Sequence, residues 1–184
     1  MKANNRSSPN RANILCVGKE SLVLMGDRSA KRIDRVEVGD VVATGSGDGG
    51  EMGLAVVEKV AVSVHSDVKR VVFENGDSLD CTPDHPIWVC GKGWCAVDAD
   101  LAFANYGELC RRLIRGDQCL RGGESGVCRT QVVSIDDLPG VHEMYVVSAG
   151  EAHCFFANGI LVHDENLAML SYVGCGSHFI GAAL

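Results

Sequence analysis

The sequence predicts an all-β protein built around one domain. Its apolar runs are short and turn-forming residues separate them at close intervals, which is typical of a chain that folds into many short strands. Glycine is plentiful, with 22 residues in 184, while aromatic residues make up only 5% of the chain. This composition suits a β-rich fold with many tight turns. A hydrophobic share of 46% is enough for a single core.

The first half of the chain alternates between apolar segments and turns. Residues 1–13 are polar and basic, so we expect a flexible N-terminal flank there. The glycine-rich segment 45–53 predicts a flexible loop, and the order of a phosphate-binding loop is missing from it. Asn75 and Gly76 mark a hairpin. Strands are predicted over residues 21–25, 54–64, 69–74 and 78–81, and a turn leading into a strand over 38–43.

The second half continues this pattern with one weak interval. One or two helical turns are expected within residues 98–109, and segment 110–130, which is rich in glycine, predicts a loop between strands. Residues 143–164 are expected to form two strands, an Asn158-Gly159 turn and a third strand. The predicted strands are 87–90, 94–97, 130–135, 144–148, 153–156 and 160–162.

Charge and cysteine content narrow the function classes. The net charge is −7, from 17 basic against 24 acidic residues, so no overall electrostatic signal for nucleic acid is present. No apolar run is long enough to span a bilayer, and residues 1–13 lack the apolar stretch of a secretory signal. The nine cysteines contain no C-x-x-C pair. We therefore expect reduced thiols, a cytoplasmic location, and no membrane or nucleic-acid partner.

Three groups of polar residues, far apart in the sequence, are candidates for one reactive site. Cys16 stands where the polar leader meets the first strand, and its thiol can attack the carbonyl carbon of Leu15 to turn the amide into a thioester. The amide nitrogen then leaves as an amine and must be protonated. Thr82 and His85, on a proline-stiffened turn, suit that role because a hydroxyl can bond the amide and an imidazole can move the proton.

The third group closes the predicted domain and comprises His153, His163 and Asp164. Taken singly, each candidate has an ordinary explanation. Cys16 can be a small buried residue, Thr82 a turn-forming hydroxyl, and the final His-Asp pair a solvated strand end. Their combination favours chemistry.

These residues lie in segments that resemble the Hint (Hedgehog/intein) superfamily, specifically the bacterial intein-like self-processing domains without a homing endonuclease. The matching segments are 16–42, 76–86 and 152–164, and the resemblance covers residues 14–164. It implies an all-β horseshoe with pseudo-twofold halves, in keeping with a weak echo between residues 33–42 and 99–109.

The resemblance also implies a chemistry and assigns roles to residues. Cys16 would undergo an N–S acyl shift assisted by Thr82 and His85. His153 would assist at the C-terminal junction, and His163 would help the terminal residue, here Asp164, to cyclise. No cofactor is implied, and the substrate would be the flanking polypeptide of the same chain.

The sequence departs from the family pattern at three positions. The usual C-terminal Asn is Asp164, whose carboxylate would have to react through an anhydride, a weaker route than succinimide formation by an amide. Splicing inteins have Cys, Ser or Thr next, whereas this chain has Glu165, which cannot accept an acyl group. Many members have an Asp shortly after the tyrosine at position 145, and this chain has Val146.

We therefore predict a monomeric Hint domain over residues 14–164, with flanks at 1–13 and 165–184. It should form a thioester at Cys16 and lose residues 1–15, with slow or absent cleavage after Asp164 and no ordinary splicing. Two alternatives remain: a catalytically degenerate Hint domain that serves as a structural or presentation module, and, less favoured, a metal-binding β-domain that uses the cysteines.

Overall fold

The computed structural model describes residues 15–47, 51–106 and 110–164. The predicted flanks at 1–13 and 165–184 lie outside these residues. The described chain contains one α-helix, α1 (Ala99–Tyr106), and two 3₁₀ turns at Ile33–Arg35 and Gly150–Ala152. Its strands are β1 (Val17–Gly18), β2 (Leu22–Leu24), β3 (Ala30–Arg32), β4 (Val41–Thr44), β5 (Gly53–Val56), β6 (Lys59–His65), β7 (Lys69–Phe73), β8 (Ser78–Cys81), β9 (Ile87–Val89), β10 (Gly93–Ala96), β11 (Arg111–Arg112), β12 (Gln118–Gly123), β13 (Gly126–Asp137), β14 (His142–Ser148), β15 (Cys154–Ala157) and β16 (Ile160–His163).

The protein is all-β, as the sequence predicts. Its main sheet follows the order β3-β2-β15-β16-β9-β12-β13-β7-β8-β1-β14-β6, and β10 and β11 branch from β9. β4 and β5 form a separate hairpin. Nearly all of these pairs are antiparallel; β10 and β11 are parallel. The order places β1, at the start of the domain, between β8 and β14 near its end.

The core lies where strands from both ends of the chain meet. Phe73, Leu79, Ile87, Phe155 and Val162 are almost fully buried in one apolar cluster. Burying side chains of this size stabilises each by about 1.5–3 kcal/mol relative to exposure. Consequently the first and last strands are held against the same interior, which brings residues distant in sequence together.

Two hairpins form as predicted. The chain turns at Asn75 and Gly76 between β7 and β8, where Phe73 also accepts a hydrogen bond from the Gly76 amide at 3.0 Å. At the second turn Asn158 has φ of 48° and Gly159 has φ of 76°. Positive φ at both central positions is the geometry that an Asn-Gly pair favours. The Asn158 side chain also accepts from the Leu22 amide at 2.7 Å, which ties this turn to β2.

The loop predicted for residues 110–130 is wrong. β11, β12 and the first part of β13 occupy much of it, and β12 pairs with β13 from Gln118 to Gly123. The prediction failed because it treated the glycines as turn formers, whereas Gly122 lies within a strand and its lack of a side chain allows close packing. A Cβ at Gly122 would lie 2.8 Å from a ring carbon of Phe156, so only glycine fits there without movement.

The single strand predicted for residues 54–64 is two strands that belong to different sheets. Val57, fully buried, separates β5 from β6. Its amide donates to the Asp40 carbonyl at 2.8 Å, and the next amide, of Glu58, donates to the Ser148 carbonyl at 2.9 Å. These two bonds pass the chain from one sheet to the other, and alternation alone does not reveal such a crossover.

Candidate functional site

Cys16 lies at the N-terminal end of β1, inside the protein. Val17 pairs with Cys81 of β8 on one side and with Tyr145 of β14 on the other. Leu15 is 1% exposed and Cys16 is 0% exposed. The peptide bond that the sequence marks as reactive is therefore shielded from bulk water.

Thr82 contacts both backbone polar groups of Cys16. The Thr82 amide donates to the Cys16 carbonyl at 3.1 Å. The Cys16 amide donates to the Thr82 hydroxyl oxygen, Oγ1, at 3.4 Å. This amide nitrogen is the atom that would leave in an acyl shift, so the hydroxyl sits where the charge on that nitrogen would change.

His85 follows Thr82 within the same turn. Its amide donates to the Thr82 carbonyl at 3.1 Å. The side chain is buried, and neither ring nitrogen has a hydrogen-bond partner among the residues the structure describes. Leaving a buried polar group unpaired costs about 1–3 kcal/mol. A buried imidazole that stays unpaired at this cost points to a functional role for His85.

Burial lowers the pKa of His85 to about 3, and the neighbouring His163 contributes in the same direction. The imidazole is therefore neutral near pH 7. When protonated it is a strong acid for an imidazole, so it can give up a proton readily. In its neutral form the ring can relay a proton to a departing amine, because one ring nitrogen donates while the other accepts.

His163 belongs to the same region, because β16 pairs with β9 directly after the His85 turn. Val162 pairs with Ile87, and the His163 amide donates to the Pro86 carbonyl at 3.1 Å. The ring packs edge-on against Trp94, with centroids 4.9 Å apart. Burial lowers the pKa of His163 as well. The turn at residues 82–86 thus touches both predicted reaction ends.

The ring of His163 reaches the backbone carbonyl of Asp164. The distance from Nδ1 to that oxygen is 2.9 Å. Because a carbonyl only accepts, Nδ1 carries the hydrogen in this contact. The carbonyl belongs to the peptide bond between Asp164 and Glu165, so the contact can polarise that bond.

The Asp164 side chain is buried and fixed. Oδ2 accepts from the Ala149 amide at 2.9 Å and from the Ser148 hydroxyl at 3.4 Å. Oδ1 lies 3.5 Å from Nδ1 of His153. The Asp164 amide donates to the His153 carbonyl at 3.0 Å. His153 itself has φ of 51°, the left-handed conformation, which lets its carbonyl and its ring both face Asp164.

Two residues near Cys16 have no place in the sequence prediction. The Cys16 sulfur lies 3.2 Å from the Ser63 hydroxyl and 3.6 Å from Nε2 of His65. Ser63 and His65 are also in contact, with 2.8 Å between Oγ and Nε2. The signal in the sequence is a pair of polar residues at i and i+2 in an apolar strand, since alternate residues share one face.

Val146 lies on the same side of the sheet as Cys16. Both belong to a small buried cluster with Met144 and Val68. The position where many family members have an acidic residue is therefore apolar here, and it offers no base to the thiol.

Three of the other cysteines, Cys81, Cys95 and Cys119, are poor nucleophiles. The described cysteines are all free thiols. Burial raises the pKa of Cys95 to about 12, and it raises the pKa values of Cys81 and Cys119 as well. Within residues 15–47, 51–106 and 110–164, no three His, Cys, Asp or Glu side chains come together as a metal site.

The described chain has one short α-helix. Its helix α1 is eight residues long, and no described helix is long and apolar enough to cross a membrane.

Comparison with known proteins gives one family match and many similar structures. The model of the family described as Ataxin-1 and HBP1 module (AXH) matches residues 19–124, which is more than half of the chain. No curated protein matches the chain by sequence.

The similar structures are inteins and an intein-like domain. A DnaB intein from Synechocystis sp. PCC 6803 superposes with a TM-score of 0.67 at 19% identity, covering 82% of this chain and 98% of that one. The bacterial intein-like domain from Clostridium thermocellum has a TM-score of 0.65 at 18% identity, covering 81% and 98%. The gp41-1 intein has a TM-score of 0.61 at 19% identity, covering 82% and 98%. The fold is therefore that of the Hint domains.

Proposed function

The chain belongs to the AXH family by sequence and has the Hint/intein fold, and from this premise we propose that it is a self-processing domain that acts on its own polypeptide. The AXH match at residues 19–124 includes Thr82 and His85 but neither Cys16 nor the C-terminal site residues. The proposal consequently rests on the fold and on the geometry around Cys16.

The first step is an N–S acyl shift at Cys16. The thiol sulfur attacks the Leu15 carbonyl carbon, and the carbon–nitrogen bond breaks. The thiol loses its proton in this step, and the new amine gains one. The carrying observation is that Thr82 bonds both the amide and the carbonyl of Cys16, at 3.4 and 3.1 Å. His85 lies in the same turn, and its neutral ring can relay a proton to the leaving nitrogen by donating from one ring nitrogen while the other takes up a proton.

The thioester then reacts with water or an added thiol, and residues 1–15 are released. Ordinary splicing is not part of this proposal, because it requires Cys, Ser or Thr after Asp164 and the sequence has Glu165 there. Cleavage after Asp164 is slow or absent. Its carboxylate accepts from the Ala149 amide at 2.9 Å, and a carboxylate held as an acceptor is a poor nucleophile toward its own backbone carbonyl.

Mass spectrometry of the full chain, with and without added dithiothreitol, tests this proposal. We expect thiol-dependent loss of residues 1–15 from the wild type and none from Cys16→Ala. Cys128→Ser is the matched control, because Cys128 is an exposed thiol outside the site and its loss should leave cleavage unchanged. Equal intact masses for the wild type and Cys16→Ala under thiol would refute the proposal.

The second candidate is a degenerate Hint domain that serves as a structural or presentation module. The observation that favours it is that Cys16 is buried in a small cluster with the apolar residues Val146 and Met144, and that Val146 stands where the resemblance implies an acidic residue. On this alternative the wild type would stay intact under thiol while remaining folded.

A further inference from the structure

We propose that His65, with Ser63, is the base that removes the proton from the Cys16 thiol. This inference rests on the proposed function, since it assigns a further catalytic residue to the same acyl shift. In that step His85 and Thr82 act on the leaving nitrogen. The attacking sulfur therefore needs a different group to accept its proton.

Strand pairing puts His65 on the correct face. β14 lies between β1 and β6, with Val17 opposite Tyr145 and Met144 opposite Ser63. Residues two apart on a strand share a face, so Ser63 and His65 lie together on the side of the sheet where Cys16 and Met144 are buried. The contact is long-range in sequence, because Cys16 and His65 are 49 residues apart.

The distances allow two routes for the proton. The direct one runs from the Cys16 sulfur to Nε2 of His65 over 3.6 Å. The relayed one runs through the Ser63 hydroxyl, which is 3.2 Å from the sulfur and 2.8 Å from Nε2. In the relay Ser63 receives the thiol proton and passes its own hydroxyl proton to the imidazole, so the serine ends unchanged.

The groups around the pair are apolar side chains, a second histidine and an ion pair. The apolar members of the cluster, Val68, Met144 and Val146, provide no competing base. The titratable group across the strand pair is His142, which faces His65 from β14 and contacts the Pro139 carbonyl through Nε2 at 3.1 Å. Asp67, two residues after His65, pairs with Lys69 at 2.9 Å. A thiolate at Cys16, whose sulfur lies 3.6 Å from Nε2, would stabilise an imidazolium at position 65.

The complete step balances with two histidines. The proton leaves sulfur for His65, the sulfur electron pair forms the bond to the Leu15 carbonyl carbon, and the tetrahedral intermediate collapses with loss of the nitrogen. The nitrogen gains a proton through His85, whose neutral ring takes up a proton from solvent as it donates one, and His65, which is half-buried, returns its proton to solvent. The net change is an amide and a thiol converted into a thioester and an amine.

His65→Gln in the full chain tests the inference, with His142→Gln as the matched control. The two histidines are opposite each other on paired strands and both are half-buried, so a general disturbance of these strands would affect both variants. The first readout is the rate of thiol-dependent loss of residues 1–15 as a function of pH. We expect His65→Gln to be slower by about 10²-fold near pH 7 and to recover as the pH is raised, because hydroxide then ionises the thiol without the imidazole. His142→Gln should follow the wild-type profile. A wild-type profile for His65→Gln would overturn the inference.

The second readout does not depend on processing. The thiolate ultraviolet absorbance of Cys16, taken as the difference between each protein and its Cys16→Ala counterpart, is titrated with pH. Loss of an imidazole partner should move its midpoint upward by about one pH unit or more in His65→Gln. If the wild type releases nothing but this shift occurs, the proposed function fails and the His65–Cys16 pairing stands. If cleavage occurs and neither readout changes in His65→Gln, the inference alone fails.

Discussion

Replacing Asp164 by asparagine should turn on cleavage at the C-terminal end of the domain. In the wild type, one carboxylate oxygen accepts from the Ala149 amide at 2.9 Å, and the other lies 3.5 Å from Nδ1 of His153. An asparagine side-chain oxygen can keep the bond to Ala149. Its amide nitrogen then takes the position beside His153, where an imidazole can accept its proton.

The surrounding groups are already arranged for this reaction. His163 donates to the Asp164 carbonyl over 2.9 Å and so polarises the bond that the new nitrogen would attack. A positioned general base contributes about 10²–10⁴-fold to such a step, so release of residues 165–184 should exceed that of the wild type by at least about 10²-fold. The fold should survive the change. Exchanging the charge-assisted bond to the Ala149 amide for a neutral one costs about 1 kcal/mol, and removing a charge from a buried position offsets part of it.

The assay is a time course of intact mass for Asp164→Asn beside Asp164→Ala. Alanine removes both the acceptor and the nucleophile, so it should release nothing. His163→Ala in the Asp164→Asn background should slow release, since the carbonyl loses its donor. The reasoning is refuted if Asp164→Asn keeps a urea unfolding midpoint near that of the wild type and still retains its tail.

Three further changes probe the N-terminal chemistry and the fold. Thr82→Val keeps the shape but removes the hydroxyl bonded to the Cys16 amide, so thiol cleavage should slow by about 2–10-fold while Thr82→Ser stays near wild type. His85 has its pKa lowered to about 3, so the unfolded chain binds a proton first as pH falls below about 6.5. Stability should then drop by roughly 1.4 kcal/mol per pH unit, which urea unfolding at pH 7 and pH 5 would reveal as a dependence weakened in His85→Leu. Gly122→Ala should cost about 1–3 kcal/mol in urea unfolding because its Cβ would lie 2.8 Å from Phe156, whereas at Gly123 the nearest atom is 3.6 Å away and alanine should be tolerated. Equal unfolding midpoints for the two glycine variants would contradict the packing argument.

Local sequence signals correctly predicted the turns at Asn75-Gly76 and Asn158-Gly159. The Asn-Gly turn at residues 158 and 159 depends only on adjacent backbone preferences, and the structure has positive φ at both positions. The segment 110–130 failed because its glycines were read as turn formers. Gly122 is a strand residue whose lack of a side chain makes room for the ring of Phe156, a residue 34 positions away. Propensity describes neighbours in sequence, and this requirement comes from a neighbour in space.

The same distinction between neighbours in sequence and neighbours in space applies to the residues of the candidate site. Thr82 and His85 form one turn, so their spacing alone predicts that they act together, and the structure does bring that turn against Cys16 and against His163. Their roles remain predictions for the experiments above.

Ser63 and His65 could not be found in this way, because their link to Cys16 depends on two strand registers, of β14 with β1 and of β6 with β14. A shift of either register by one residue would turn His65 to the opposite face, where Val62 and Val64 are exposed. The thiol and its proposed base are thus joined by the sheet itself, and a variant that slips the register of β6 should lose both the contact and the assisted ionisation of Cys16.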